Sequence, residues 1–251
     1  MIETTARRKP VPHVERLPWA EMDRHLRHEW KPGEHFGVYA PTGHGKSLLT
    51  TRGLIPRWRY VITFDVKGDD PELMRGTGPR VRSFPRRAQL ARYELDERNP
   101  QMHFRLNPGG MGASAIRAFD DAFREVWKLG SSRKAAGAWT LNIDEARILS
   151  DNMGMKKHLQ TVLVLGRSKG LTVISGSQAP RMLPSECYDQ PRWFAIGPIR
   201  DKRQVDRFAE IGGDMDMIRG VLPTLERTKK RREFLFLGPE DFTAISSWEP
   251  A

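Results

Sequence analysis

The sequence contains one cysteine, Cys187, in 251 residues. An internal disulfide is therefore excluded, and that cysteine cannot build a zinc site by itself; such sparing use fits a reducing compartment. No apolar run approaches the ~20 residues that a membrane-spanning helix needs. The N-terminus, MIETTARRKPVPHVERLPW, has no apolar h-region, so no secretory signal is expected. Internal repeats and low-complexity tracts are missing, and the seven histidines have no metal-ligand spacing. Negative charge is also short: 31 Asp+Glu stand against 42 Lys+Arg, leaving a formal net charge of +11. A polyanionic partner, nucleic acid or an anionic surface, suits that excess, although solvated basic faces account for it equally well.

What is present is enough for a packed core. Hydrophobic residues make up 38% of the chain and include seven Trp, which excludes disorder as the main state. Residues 1–30 are polar and punctuated by proline, with a short amphipathic helix over Trp19–Trp30, and read as an N-terminal extension. Residues 31–251 read as one domain. Strand-like runs occur at 36–40, 60–65, 139–144, 171–176, 193–197 and 233–237. Several are apolar on both faces, as buried strands of a parallel sheet are. Helical patterns fall between them at 46–53, 113–129 and 155–169, with two short ones near 201–220. That alternation predicts an α/β fold, a mostly parallel sheet with helices on both faces. The stretch from Gly68 to Gly112 is less regular and reads as loops with a short strand.

The first strand leads into Ala40-Pro41-Thr42-Gly43-His44-Gly45-Lys46-Ser47, followed by Leu48. This is a P-loop pattern with alanine in place of the first glycine, a position that chiefly needs a small residue. Gly43 and Gly45 let the loop wrap so that backbone N–H groups converge on phosphate oxygens. The helix starting near Lys46 adds its positive end. Lys46 is expected to reach the β- and γ-phosphates and the Ser47 hydroxyl to ligate Mg²⁺. Pro41, Thr42, His44 and Leu48 complete the nucleotide-binding set, His44 as a loop residue rather than a catalyst.

A second element, Leu-Asn-Ile-Asp144-Glu145-Ala, is a buried strand ending in two carboxylates, as a Walker B motif requires. Asp144 is expected in the Mg²⁺ shell and Glu145 as the general base that polarises water. The adjacent glutamate favours ATP hydrolysis over a GTPase switch, and no guanine-reading Asn-Lys-x-Asp occurs. Gln178, at the carboxyl end of the strand 171–176, fits a γ-phosphate sensor or a plain strand cap. Arg167 reads either as an ordinary cation at a helix C-terminus or as an arginine finger reaching a neighbouring subunit's ATP.

These residues carry a resemblance to the FtsK/HerA superfamily of ring-shaped DNA-pumping ATPases. It rests on Pro-Thr-Gly-His-Gly-Lys-Ser, on Phe-Asp65-Val-Lys67-Gly-Asp, which resembles the family's Asp-x-Lys-Gly, on Ile-Asp144-Glu145-Ala, and on Gly-Arg167-Ser-Lys-Gly-Leu-Thr-Val-Ile-Ser-Gly-Ser-Gln178-Ala-Pro. The resemblance implies a RecA-like (ASCE) P-loop NTPase core, ATP and Mg²⁺ as cofactors, and a pentameric or hexameric ring with double-stranded DNA threaded through it. Under it, Arg167 becomes the candidate trans-acting finger. With no membrane segment, winged-helix reader or nuclease domain in sight, the chain looks most like a small viral packaging ATPase, cytoplasmic or virion-associated, with a capsid portal or vertex protein as a further partner. A plasmid-transfer or defence-system DNA pump and a nucleotide-switched adaptor are the alternatives.

In such a motor the DNA grip is phosphate-directed. Arg133 and Lys134 before the Asp-Glu strand, and Lys156 and Lys157 after it, are the candidate DNA-binding pairs, against the alternative of solvated basic loops. Two further clusters, Arg80–Arg87 and Arg227–Arg232, are open to DNA, to a portal or to neither. The second also reads as a charged turn that blunts a sheet edge.

Overall fold

A computed structural model describes residues 13–68, 70–72, 81–83, 102–130, 139–211, 214–228 and 231–248. The strands are β1 (His35–Tyr39), β2 (Tyr60–Phe64), β3 (Val81–Ser83), β4 (Met102–Leu106), β5 (Trp139–Ile143), β6 (Thr172–Ser177), β7 (Pro191–Ile196), β8 (Glu233–Leu237) and β9 (Thr243–Ser247). They form one nine-stranded sheet in the order β3-β4-β2-β5-β6-β1-β7-β8-β9. Pairing is parallel from β3 through β7, and the β7–β8 and β8–β9 pairs are antiparallel.

Helices cover both faces. They are α1 (Trp19–Glu29), α2 (Lys46–Leu48), α3 (Ala113–Gly130), α4 (Lys156–Leu165), α5 (Glu186–Asp189), α6 (Lys202–Ile211) and α7 (Met215–Val221). The short α2 continues as a π-helical stretch, Leu49–Leu54, and a 3₁₀ turn, Ile55–Arg57. Thr50 and Thr51 hydroxyls bond the carbonyls of Lys46 and Ser47 at 2.9 and 2.7 Å, competing with the regular ladder where the helix widens.

The period-2 pattern of the strands divides the core in two. Phe36 and Val38 of β1 join Val61, Ile174, Trp193, Phe234 and Phe236 on one face. Met22, Leu26 and Trp30 from α1 and Leu49, Leu54 and Ile55 pack there, so the helix of the N-terminal stretch is bound into the core. Leu17 and Glu15 also exchange backbone hydrogen bonds with Ile245 of β9. On the other face Tyr39, Ile62, Phe64, Leu141 and Val173 meet Phe119, Phe123 and Val126 of α3 and Leu159, Val162 and Leu163 of α4.

The strand order is what positions a site. β6 lies between β1 and β5, so the segments leaving β1, β6 and β5 emerge side by side at the carboxyl edge of the sheet. The Gly68–Gly112 stretch contributes two strands rather than one, β3 and β4, beyond β2. β9 covers β8, so the basic run before β8 does not blunt a sheet edge as expected from sequence.

Candidate functional site

The P-loop turns on two left-handed glycines, Gly43 at φ +75° and Gly45 at φ +93°, directly before α2. Lys46 is buried, and its Nζ donates to both the backbone carbonyl and Oδ1 of Asp144, each at 2.5 Å. The close approach depends on Gly176: a Cβ there would stand 2.6 Å from the Asp144 carbonyl oxygen and 3.1 Å from Lys46 Nζ. Ser47 Oγ donates to Asp70 Oδ2 at 2.5 Å and lies 3.3 Å from Asp144 Oδ1. Burial pushes the Asp144 carboxyl up, but the Lys46 charge and hydrogen bond, together with Lys67 and Ser47, outweigh it and hold it below its ordinary value.

Glu145 is equally buried. Ser177 Oγ donates to its Oε1 at 2.6 Å, and Lys67 Nζ lies 3.4 Å from its Oε2. Lys67 is presented by a turn built on the fully buried Asp65. That carboxylate accepts Gly68 N–H at 2.8 Å on one oxygen and the Arg105 guanidinium at 2.7 and 2.5 Å on the other. Gln178 follows β6 and accepts a hydrogen bond from Thr42 Oγ1 at 2.7 Å, which ties the strand end to the P-loop. His44 points inward: its ring lies tilted against Phe234, and its Nε2–H donates to the Glu233 carbonyl at 2.8 Å. Burial, then the charges of Arg227 and Arg232, lower its pKa, so it stays a neutral structural link.

A pocket of about 500 Å³ opens over this loop, lined by Pro41, Thr42, Gly43, Gly45, Lys46, Ser47, Leu48, Arg52, Asp70, Glu72, Gln178 and Arg232. A larger concavity of about 1550 Å³ lies at the other end of β7, beside His13, Arg192 and Phe242. It has mixed charge and no Gly-rich cradle, so the chemistry is placed at the smaller one.

The donor set suits a nucleoside triphosphate with a hard divalent cation. Loop N–H groups and Lys46 answer phosphate, while the Ser47 hydroxyl and the Asp144 and Asp70 carboxylates are oxygen ligands of the kind Mg²⁺ takes alongside phosphate. The structure thus brings Lys46, Ser47, Asp144, Glu145 and Gln178 together. Arg167 is not among them. It is exposed in the 3₁₀ turn after α4, its backbone carbonyl facing Gly33 and its charge acting on His35, at the opposite end of β1 from the P-loop. Lys156 and Lys157 are exposed at the start of α4. Arg133 and Lys134 lie outside the described residues, as do the side chains of the Arg80–Arg87 cluster.

Sequence reasoning missed Asp70, Arg52, Glu72, Arg105 and Arg232. Asp70 had a signal, since it directly follows the Asp-x-Lys-Gly-like stretch. The Arg52–Glu72 pair, at 2.9 Å, is brought together only by the fold.

Comparison with models of protein families gives no match, and neither does comparison with curated proteins by sequence. Solved structures do match. The DNA-packaging ATPase B204 from Sulfolobus Turreted Icosahedral Virus superposes with a TM-score of 0.63 at 14% identity, over 88% of this chain and 100% of that one. This chain has a P-loop NTPase fold. The genome packaging NTPase B204 from Sulfolobus turreted icosahedral virus 2, in complex with AMPPCP, matches with a TM-score of 0.57 at 16% identity over 88% of this chain and 100% of its own. EccC (ATPases 2 and 3) from Thermomonospora curvata, in complex with a signal sequence peptide, gives a TM-score of 0.51 at 12% identity, over 90% of this chain and 39% of that one. With each of these structures the likeness is one of fold.

Proposed function

We propose that the protein is an ATPase that couples ATP hydrolysis to translocation of double-stranded DNA as a homo-oligomeric ring, packaging a viral genome. The reading is carried by the convergence, at the carboxyl ends of β1, β5 and β6, of Lys46, Ser47, Asp144, Glu145 and Gln178 at the Gly-rich loop. The names of the structural neighbours, a packaging ATPase and a packaging NTPase held with AMPPCP, support ATP as ligand and packaging as the process.

In this mechanism the loop amides and Lys46 bind the triphosphate, which draws Lys46 from Asp144 towards the β- and γ-phosphates. Ser47 and Asp144, with Asp70 beside them, would hold Mg²⁺, which when bound would supply positive charge against the phosphate oxygens. Glu145, oriented by Ser177, accepts a proton from the attacking water. Lys67 pairs with the same carboxylate, so its departure frees an oxygen for that water. Gln178 reads the γ-phosphate and passes its presence to the P-loop through Thr42. Arg167 of a neighbouring subunit stabilises transition-state charge. Lys156 and Lys157, with Arg133 and Lys134, track the DNA backbone. A portal or vertex protein docks the ring, and the motor works in the host cytoplasm or on the virion.

The test is ATP turnover with and without double-stranded DNA. DNA is expected to stimulate hydrolysis by the wild-type chain, and Glu145→Gln is expected to bind ATP without turning it over. Turnover that ignores DNA, alongside nucleotide-dependent binding of a partner protein, would instead identify a nucleotide-switched adaptor.

A further inference from the structure

The basic run Arg227–Arg232 does not stand apart from the nucleotide pocket. An antiparallel bridge pairs Arg227 with Arg232, closed further by Thr228 N–H to the Arg231 carbonyl at 2.9 Å. The base of this turn is fixed by buried Glu233, whose carboxylate accepts Glu226 N–H at 2.9 Å and the Arg16 guanidinium at 3.1 Å. Directly opposed residues of an antiparallel pair share a face. Here that face meets the P-loop. Arg227 Nη2 reaches the Thr42 carbonyl at 3.4 Å. Arg232 lies against Gly45: a Cβ on that glycine would be 3.0 Å from Arg232 Cδ and 3.2 Å from its Nη1. His44 ties the same segment to the loop from inside, through the Glu233 carbonyl.

Among the described residues three cations line the pocket, Lys46, Arg52 and Arg232. Lys46 is paired with Asp144 and Arg52 with Glu72. Among the described residues no carboxylate pairs with Arg232. A guanidinium set against an N–H-lined loop and a helix N-terminus, with Lys46 alongside, adds positive charge to positive potential. That placement becomes favourable when a polyanion lies between them, and the planar fork of arginine suits phosphate oxygens.

We propose that Arg232 is a nucleotide-binding residue acting in cis, its guanidinium holding the phosphate chain, with Arg227 as a positioning residue that braces the loop at Thr42. The inference rests on the reading that this pocket takes ATP, and it assigns the run to nucleotide rather than to DNA.

The experiment measures binding of ATP and ADP to the full chain, and separately binding of double-stranded DNA without nucleotide. Arg232→Ala should weaken ATP binding roughly tenfold, the loss expected for one charge-assisted hydrogen bond. Arg232→Lys should recover part of it. Arg219→Ala, which removes an equal charge from an exposed site on α7, should bind ATP like wild type. Parallel thermal unfolding checks that each variant is folded. Loss of ATP affinity alone places Arg232 on the γ-phosphate, and loss of both ATP and ADP affinity places it on the earlier phosphates; either supports the proposal. Wild-type ATP affinity in folded Arg232→Ala overturns it while leaving the ATPase reading intact, and a selective loss of DNA affinity overturns it in favour of a DNA contact. A wild-type chain that binds no ATP removes the underlying reading and this inference with it.

Discussion

His35 shows how tightly single residues are committed in this sheet. Its Nε2 lies 2.9 Å from the Leu163 carbonyl, and its Nδ1 accepts Val173 N–H at 3.1 Å. A second ring proton would have to sit on the nitrogen that already accepts a hydrogen bond. Burial lowers its pKa from 6.5 to about 4, with the Arg167 charge acting in the same direction. The unfolded chain therefore binds this proton near pH 6 and the folded chain does not. The associated stability is present in full above about pH 6.5, falls as the pH drops towards 4, and changes no further below that. A shift of that size is worth about 3 kcal/mol. Buried His44 and His103 move in the same direction and add to the slope. Asp144, held below its ordinary value, loses its contribution only in the more acidic range. Urea unfolding at pH 7.0 and pH 4.5 should thus show a marked fall in midpoint, smaller in His35→Gln. A midpoint that does not move would mean that the imidazole is hydrated in the native protein.

Among the elements, α1 makes the sharpest claim, since polar, proline-punctuated sequence surrounds a helix whose Met22 and Leu26 are fully buried. Leu26→Ala leaves a cavity against the β1 face, and such truncations cost about 2–5 kcal/mol. Denaturant unfolding should show that loss as one cooperative transition shared with the sheet. A stability unchanged within about 0.5 kcal/mol would make α1 an appendage. The helix itself was legible from sequence, but its place in the core was not, because an 11-residue amphipathic segment does not say what it packs on. The same limit explains the other differences. The strands β1, β2, β5 and β6, buried along their whole length, announce themselves by short runs rich in aromatic and β-branched residues. β9, Thr-Ala-Ile-Ser-Ser, has only its middle residues buried, too short an apolar run to stand out in the sequence. β4 alternates Met102, Phe104 and Leu106 with His103 and Arg105, and it lies within an irregular stretch that obscured the period. At the site, the P-loop and Asp144–Glu145 were readable because their spacing is local. Arg105 on Asp65 and Arg232 on Gly45 were not, because each spans dozens of residues and only the fold brings the partners together.

For the whole molecule, the position of Arg167 sets the strongest constraint. It stands at the amino edge of the sheet, whereas its own P-loop leaves the carboxyl edge, five residues of β1 away. At about 3.3 Å per residue that is ~16 Å, beyond what one side chain bridges. A finger role therefore requires a second copy whose carboxyl edge faces this turn. Val164 and Leu165, 48% and 51% exposed just before Arg167, offer the apolar surface such a neighbour would cover. The arrangement predicts complementation. Arg167→Ala retains a working Glu145 but supplies no finger, and Glu145→Gln supplies the finger but has no base. Each alone should be nearly inactive. When the two are mixed under conditions that allow subunit exchange, every interface that sets an intact Glu145 against an intact Arg167 restores a full site. ATPase activity should then rise to a maximum near equal proportions, at a protein concentration where sizing shows the ATP-bound form to be oligomeric. Mixtures that stay inactive while exchange is demonstrated would remove the shared site, and Arg167 would revert to a cation at the end of a helix.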